Sequence, residues 1–158
     1  MEELIRIIMV FFGGIGFSIM FNVHGYRLFL NAAGAVAAWI FYLAAFAWTA
    51  DVFWSYFIAT LITAIVCEVL ARFTHTPTTL MIVPMVVPPL VPGGDLYNTF
   101  YNMIKSNEEL AVQYGVRLVL EIAAINFGII LAATLVKLYY YGRGERRKKA
   151  GSVLAARS

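Results

Sequence analysis

Charge is scarce in this chain of 158 residues: 13% are Asp, Glu, Lys or Arg, 61% are hydrophobic, and the mean hydropathy is +0.78. A soluble domain carries about a quarter of its residues as charges, so an ordinary water-soluble fold is excluded. Cysteine is nearly absent. Cys67 stands alone in an apolar segment, and no intrachain disulfide can form. Histidine occurs only as His24 and His75, in separate links with no cysteine or carboxylate at ligand spacing, so no metal site is expected. Catalytic signatures are missing as well: there is no Gly-x-Ser-x-Gly elbow, no phosphate loop ending in Gly-Lys-Ser/Thr and no His-Glu-x-x-His helix. Neither an enzyme nor a cofactor is expected. Gly93-Gly94-Asp95 looks like the active-site turn of intramembrane aspartyl proteases, but that chemistry needs two carboxylates sharing a proton. The only other aspartate, Asp51, lies in a short link.

The chain has apolar runs of membrane-spanning length, which need about 20 residues each. They predict an all-α integral membrane protein of about five transmembrane helices: 4–23, 28–48, 52–72, a broken fourth over 78–104, and 116–139. A single bundle over 1–140 is then followed by a basic cytoplasmic tail over 141–158. The net charge of +3 comes largely from that tail. Basic residues after a last apolar helix mark its cytoplasmic side, so the expected partner is the lipid bilayer and no nucleic acid. The acidic start, Glu2 and Glu3, argues against a cleaved signal peptide. Five crossings with the C-terminus inside put Arg27 and Arg72 on cytoplasmic links and Asp51 outside, whereas Lys105 and Arg117 run against the bias; a proline stretch that dips in and returns instead of crossing changes the parity. The expected location is the inner (cytoplasmic) membrane, multi-pass.

The rest of the chain is organised around Pro84-Met-Val-Val-Pro-Pro-Leu-Val-Pro-Gly-Gly-Asp95, in which Pro84, Pro88, Pro89 and Pro92 precede Gly93 and Gly94. Proline removes a backbone donor and clashes with the preceding turn, so a continuous helix is not expected through this stretch. Within a bilayer, freed backbone groups must face protein or a water-filled cavity. Half-helix ends of this kind bind small solutes near the membrane midplane in secondary transporters. The candidate substrate-binding residues are therefore Pro84, Pro88, Pro92, Gly93, Gly94, Asp95, Tyr97 and Asn126. A helix starting near Gly93 or Gly94 would attract a carboxylate. The alternative is a kink that other helices fill, with no ligand.

Ionisable residues inside spans are functional candidates by default. Glu68 and Glu121 are the proton-coupling candidates. Each has a simpler reading, because Glu68 can pair with Arg72 one turn later and Arg117 with Glu121. Small residues recur on the spans: Gly13, Gly14 and Gly16; Ala59, Thr63, Cys67 and Ala71; Ala124, Gly128 and Ala132. Such stripes permit close backbone approach and are candidate interfaces.

Phe21-Asn22-Val23 with Arg27, and chiefly Ile82-Val83-Pro84 through Leu90-Val91-Pro92-Gly93 with Tyr97 downstream, resemble the threonine/serine exporter family. The likeness is to the C-terminal membrane half, including the small subunits of split exporters such as one implicated in succinate export. It implies export of threonine, serine or a dicarboxylate, powered by the proton gradient. It also implies a larger membrane subunit of the same family as partner, a homo-oligomer, or both. A membrane scaffold that lines no path is the competing function.

Overall fold

Every long chain reversal falls where the backbone enters the left-handed region, at Asn22, Gly25, Ala50, His75 and Ser106, all with φ between 51° and 70°. Polar or small side chains tolerate that region, and these positions cut the apolar sequence into helices. The computed structural model describes residues 2–155, with side chains for residues 3–141. The helices are α1 (Glu2–Met20), α2 (Tyr26–Thr49), α3 (Val52–Phe73), α4 (Thr79–Leu90), α5 (Gly93–Ile104) and α6 (Glu108–Ala155). No strand occurs among the described residues. Four helices are long and apolar enough to cross a membrane, and α4 with α5 forms a pair bent by 54°. The basic side chains of the 141–158 tail lie outside the described residues.

Helix α6 runs parallel to α3. Arg117 and Glu121 line a cleft with Asp51 and Phe53, Gly128 lies against Phe57, Thr60 and Leu61, and Arg72 stacks over the Tyr140 ring at 3.8 Å. Because α4 starts beside the Arg72 end and α6 starts beyond the Asp51 end, α4 and α5 together cross the bundle once. A re-entrant hairpin would have returned the chain to the Arg72 end. Helix α4 is enclosed by α1, α2 and α3, whereas α5 packs on α6. The contacts Asp95–Arg117 and Thr99–Gly115 make α5 and the start of α6 antiparallel.

The break falls inside the expected stretch, with a helix starting at Gly93, but it is narrower than the run of four prolines suggests. Helix α4 continues through Pro84, Pro88 and Pro89 to Leu90, and the chain becomes extended only at Val91, with ψ of 126°. Each of these prolines removes one donor, and tertiary partners make up part of the loss. Pro84 leaves the Leu80 carbonyl without its helical partner, and the Asn31 amide donates to that oxygen at 3.1 Å. The same amide lies 3.1 Å from Ser18 Oγ, so one buried side chain ties α1, α2 and α4 together. Leu90 packs with Tyr56, Ala59 and Ala124, which sets the break in the half of α3 nearer Asp51.

The small-residue stripes are used within the chain. Ala59, Thr63, Cys67 and Ala71 are buried, the last two against Met81 and Met85. A Cβ on Gly14 would stand 2.9 Å from the Ala32 backbone, and one on Gly128 would stand 3.1 Å from backbone atoms of Phe57 and Leu61. These faces pack the bundle and are closed to a partner, whereas Gly16 is open.

The Asn31 tie is open to test. Asn31→Leu is expected to cost about 1–3 kcal/mol, because it leaves a buried carbonyl unpaired. In a Pro84→Ala background Leu80 regains a helical donor, and the same substitution should cost about 1 kcal/mol less. Thermal unfolding of the four proteins of this cycle in detergent measures the difference, and a zero coupling would contradict the pairing.

Candidate functional site

At the break, Val91 and Pro92 turn the chain so that α5 begins at Gly93 with Asp95 in its first turn. A carboxylate there is favoured by the helix dipole, by about 0.3–1 kcal/mol at an exposed site. The carboxylate expected at the Gly93–Gly94 end is thus supplied by the chain itself. Asp95 Oδ2 lies 2.9 Å from Arg117 Nε of α6. One turn further along α6, Glu121 Oε1 accepts from the same Nε–H at 3.4 Å. A single N–H bond therefore faces two carboxylates, and it is not aligned on Asp95.

Burial is graded across the three residues. The side chains are 51% exposed at Arg117, 16% at Asp95 and 3% at Glu121. Asp95 Oδ2 and Glu121 Oε2 are buried without a hydrogen-bond donor. Buried carboxylate oxygens are costly unless a donor or cation satisfies them, so the site has acceptor capacity to spare. Tyr42 and Tyr56, with ring centroids 4.7 Å apart, are within electrostatic range of Asp95 and Glu121. Arg117 and Glu121 open onto a cleft of about 330 Å³ walled by Asp51, Val52 and Phe53. That volume is at the lower end for small-ligand pockets, roughly 300–1,000 Å³. Asp51 also accepts from the Trp54 amide at 3.1 Å and so caps α3 at the cleft wall.

The sequence candidates divide into three groups. Asp95 and Glu121 meet on Arg117, with Pro92, Gly93 and Gly94 making the turn that brings Asp95 there. Pro92 and Asn126 line a neighbouring apolar cleft of about 290 Å³, where the Asn126 amide donates to its own helix at Ile122 O. The others lie apart. Pro84 is tied through Leu80 to Asn31, Pro88 touches the Gly13 position, and Tyr97 is exposed and stacked on Tyr101 at 5.9 Å. Glu68 sits at the opposite end, 3.7 Å from Arg72, which in turn covers Tyr140. Among the described residues no cluster of three or more His, Cys, Asp and Glu could hold a metal ion.

Arg117 and Asp51 were read from sequence only as a pairing partner and a link residue. The Arg117–Glu121 spacing was the signal for the first, and nothing local marked Asp51, Tyr42 or Tyr56. Asp95 does find a second carboxylate, in Glu121, but the nearest cation to both is a guanidinium, which disfavours the shared proton of an aspartyl protease.

The profile of the family described as Threonine/Serine exporter, ThrE, matches residues 6–135, which takes in α2 to α5, most of α1 and the first part of α6, with every site candidate named above. Neither the curated proteins nor the solved structures offer a match to this chain. With an all-helical membrane bundle and a bent pair inside the matched region, the chain belongs to the threonine/serine exporter family.

Proposed function

We propose that this chain is the membrane subunit of a secondary exporter that binds a small amino acid, threonine or serine, at the cleft where α5 meets α6. The observation that carries the reading is Arg117, half exposed at the cleft and flanked by two carboxylates, the buried Glu121 and the partly buried Asp95. Arg117 offers a guanidinium to a solute carboxylate, while the carboxylates offer acceptors to an ammonium group. Three acidic residues, Asp51, Asp95 and Glu121, surround one cation, and this balance favours a zwitterion over a dicarboxylate dianion. The succinate-type alternative is the less favoured for that reason.

Charge also suggests an orientation. Arg27, Arg72 and Lys137 lie at one end with Glu68, and the basic run of the sequence over 143–149 follows Lys137; Arg6, Lys105 and Arg117 lie toward the other with Asp51, Asp95, Glu108, Glu109 and Glu121, so the bias rests on the basic tail. The positive-inside bias puts the Arg72 end and the C-terminus in the cytoplasm, and the cleft then opens outward in the inner membrane. Five crossings leave the cleft open on one side. A partner half of the same family or a second copy of this chain would supply the missing wall, using apolar lipid-facing surface, since the small-residue stripes are already filled.

Cells lacking the chain should retain threonine and serine after dipeptide loading, with efflux reduced several-fold and restored by the full chain. Unchanged efflux of threonine, serine and succinate would contradict the exporter reading, and a selective loss of succinate efflux would favour the dicarboxylate alternative.

A further inference from the structure

The register of α6 on α3 leaves part of the chain beyond the bundle. Asp51 at the α3 cap lies level with Arg117 and Glu121 of α6, and Asp95 of α5 meets Arg117 at the same height. Residues 108–116 of α6 and 96–104 of α5 therefore project past the Asp51 end as an antiparallel hairpin, about 13 Å long at about 1.5 Å per residue. Exposed Trp48 and Trp54, with the charged Asp51 and Arg117, mark the edge of the hydrocarbon at this level. Helix α3, with 22 residues, already spans about 33 Å, close to the roughly 30 Å of a bilayer core. The apolar part of α6, Glu108–Tyr141, has 34 residues and reaches about 51 Å. Because α6 runs along α3 and shares its tilt, tilting does not hide the surplus. The hairpin stands outside the lipid.

Its polarity is reversed for a segment in water. Polar side chains face inward: Asn102 is buried and donates to Asn98 O, Thr99 donates to Asp95 O, and Ala111 and Gly115 complete the seam. Large apolar ones face outward. Leu96, Phe100 and Met103 recur at i, i+4 and i+7 on α5, all exposed, and form a ridge. On α6, Val112, Gly115, Val116, Val119 and Leu120 line an open apolar groove of about 380 Å³. With Thr99 and Asn102 of α5 facing Ala111 and Leu118 of α6 across the seam, about 100° per residue puts ridge and groove on the same side of the hairpin. Six exposed apolar side chains there offer on the order of 100 Å² each, and a patch of about 600 Å² marks an interaction surface.

We infer that this face of the α5–α6 hairpin is where a second copy of the chain docks, the two hairpins forming a four-helix bundle beyond the Asp51 end. A ridge beside a groove is complementary to itself. A two-fold axis along the membrane normal sets the α5 ridge of each copy into the α6 groove of the other, antiparallel and at matching heights. Both copies keep the same orientation in the membrane, as a chain with one topology requires. About 600 Å² on each copy makes about 1,200 Å² in total, which reaches the lower end of specific interfaces. Leu120 lines both this groove and the cleft of Arg117 and Glu121, so the docked copy borders the cleft. The inference goes beyond the exporter reading and holds whatever the solute.

The test uses the full chain alone, with no solute added. Light scattering on the protein in detergent should give a dimer. Val116→Glu should raise the dimer dissociation constant at least tenfold while helicity and melting temperature stay unchanged, because the site is exposed; Phe100→Glu serves if Val116→Glu does not fold. The contact is located by oxidising native membranes that hold two differently tagged chains, one with Phe100→Cys and one with Val116→Cys. These should form a mixed disulfide dimer, whereas Tyr101→Cys paired with Gln113→Cys, on the opposite side of the hairpin, should not; Cys67 is buried and stays out of the reaction. A monomer at every concentration, or a dimer that both glutamate variants leave intact, would overturn the docking. So would a spin label at Phe100→Cys that is reached by lipid-soluble oxygen and shielded from an aqueous nickel reagent, which would make lipid the occupant. Association seen only when a larger membrane protein of the same family is co-expressed would overturn it too, and give the face to that partner. Efflux is measured separately, so none of these results decides the exporter reading.

Discussion

Arg117→Ala is expected to abolish threonine export, by at least about 100-fold, and to destabilise the protein. The substitution leaves Asp95 and Glu121 facing each other without their guanidinium, and removing one partner of a buried pair costs about 3–5 kcal/mol. The value here should fall near the lower end, about 3 kcal/mol, because Arg117 is half exposed and partly screened by solvent. Lost folding and lost solute binding can be separated with two further variants. Arg117→Lys keeps a charge but loses the planar fork, so stability should be largely retained and export should fall roughly tenfold. Arg117→Ala combined with Glu121→Gln removes the unpaired charge, so it should recover most of the stability and none of the export. Thermal unfolding in detergent and efflux from loaded cells read the two effects. Export that recovers together with stability would show that Arg117 only holds the bundle together.

Joining α4 and α5 into one helix should abolish export by a different route, with no loss of stability. Pro92 costs a helix interior about 3 kcal/mol, and Gly93 and Gly94 about 1 kcal/mol each, relative to alanine. Replacing all three with alanine shifts the balance by about 5 kcal/mol toward a continuous helix. That exceeds the about 1 kcal/mol expected of the part-exposed Asp95–Arg117 pair. The extended helix carries Asp95 away from the cluster, and misplacing a positioning group by about 1 Å already costs roughly 100-fold in function. Gly93→Ala alone contributes too little, and a Cβ there meets no atom within 4 Å, so export should stay within about threefold of the parent. Pro84→Ala should also be mild, because Pro84 lies inside α4 at the Asn31 tie. Efflux and melting temperature for the single, triple and Pro84 variants check this. A triple variant that still exports would mean that the break has no role in binding.

The spans were legible because each long apolar run sits between polar or left-handed residues, and Gly14, Cys67 and Gly128 fall where close packing requires small side chains. The restart of the helix at Gly93 was legible from the Gly-Gly pair, but which prolines break the helix was not. Four prolines look equivalent in sequence, yet three sit within α4, and the donor answering Pro84 comes from Asn31, 53 positions earlier, as 84 − 31 gives. Asp95 and Glu121 could each be singled out as charged residues in apolar surroundings. Their meeting depends on the antiparallel packing of α5 against α6 and on the turn at Pro92, which no local periodicity encodes. Glu68 carried the same signal and lies at the other end, paired with Arg72. The sequence signal for an ionisable residue at depth is thus blind to which pair lines a cleft.

A structure of the chain in a lipid bilayer with L-threonine bound tests the central claim most directly. The solute should lie in the cleft at the Asp51 end, its carboxylate on Arg117 and its ammonium on Glu121 and Asp95. Density for the solute at the Glu68–Arg72 end, or against Pro84 within the α1–α4 core, would contradict it.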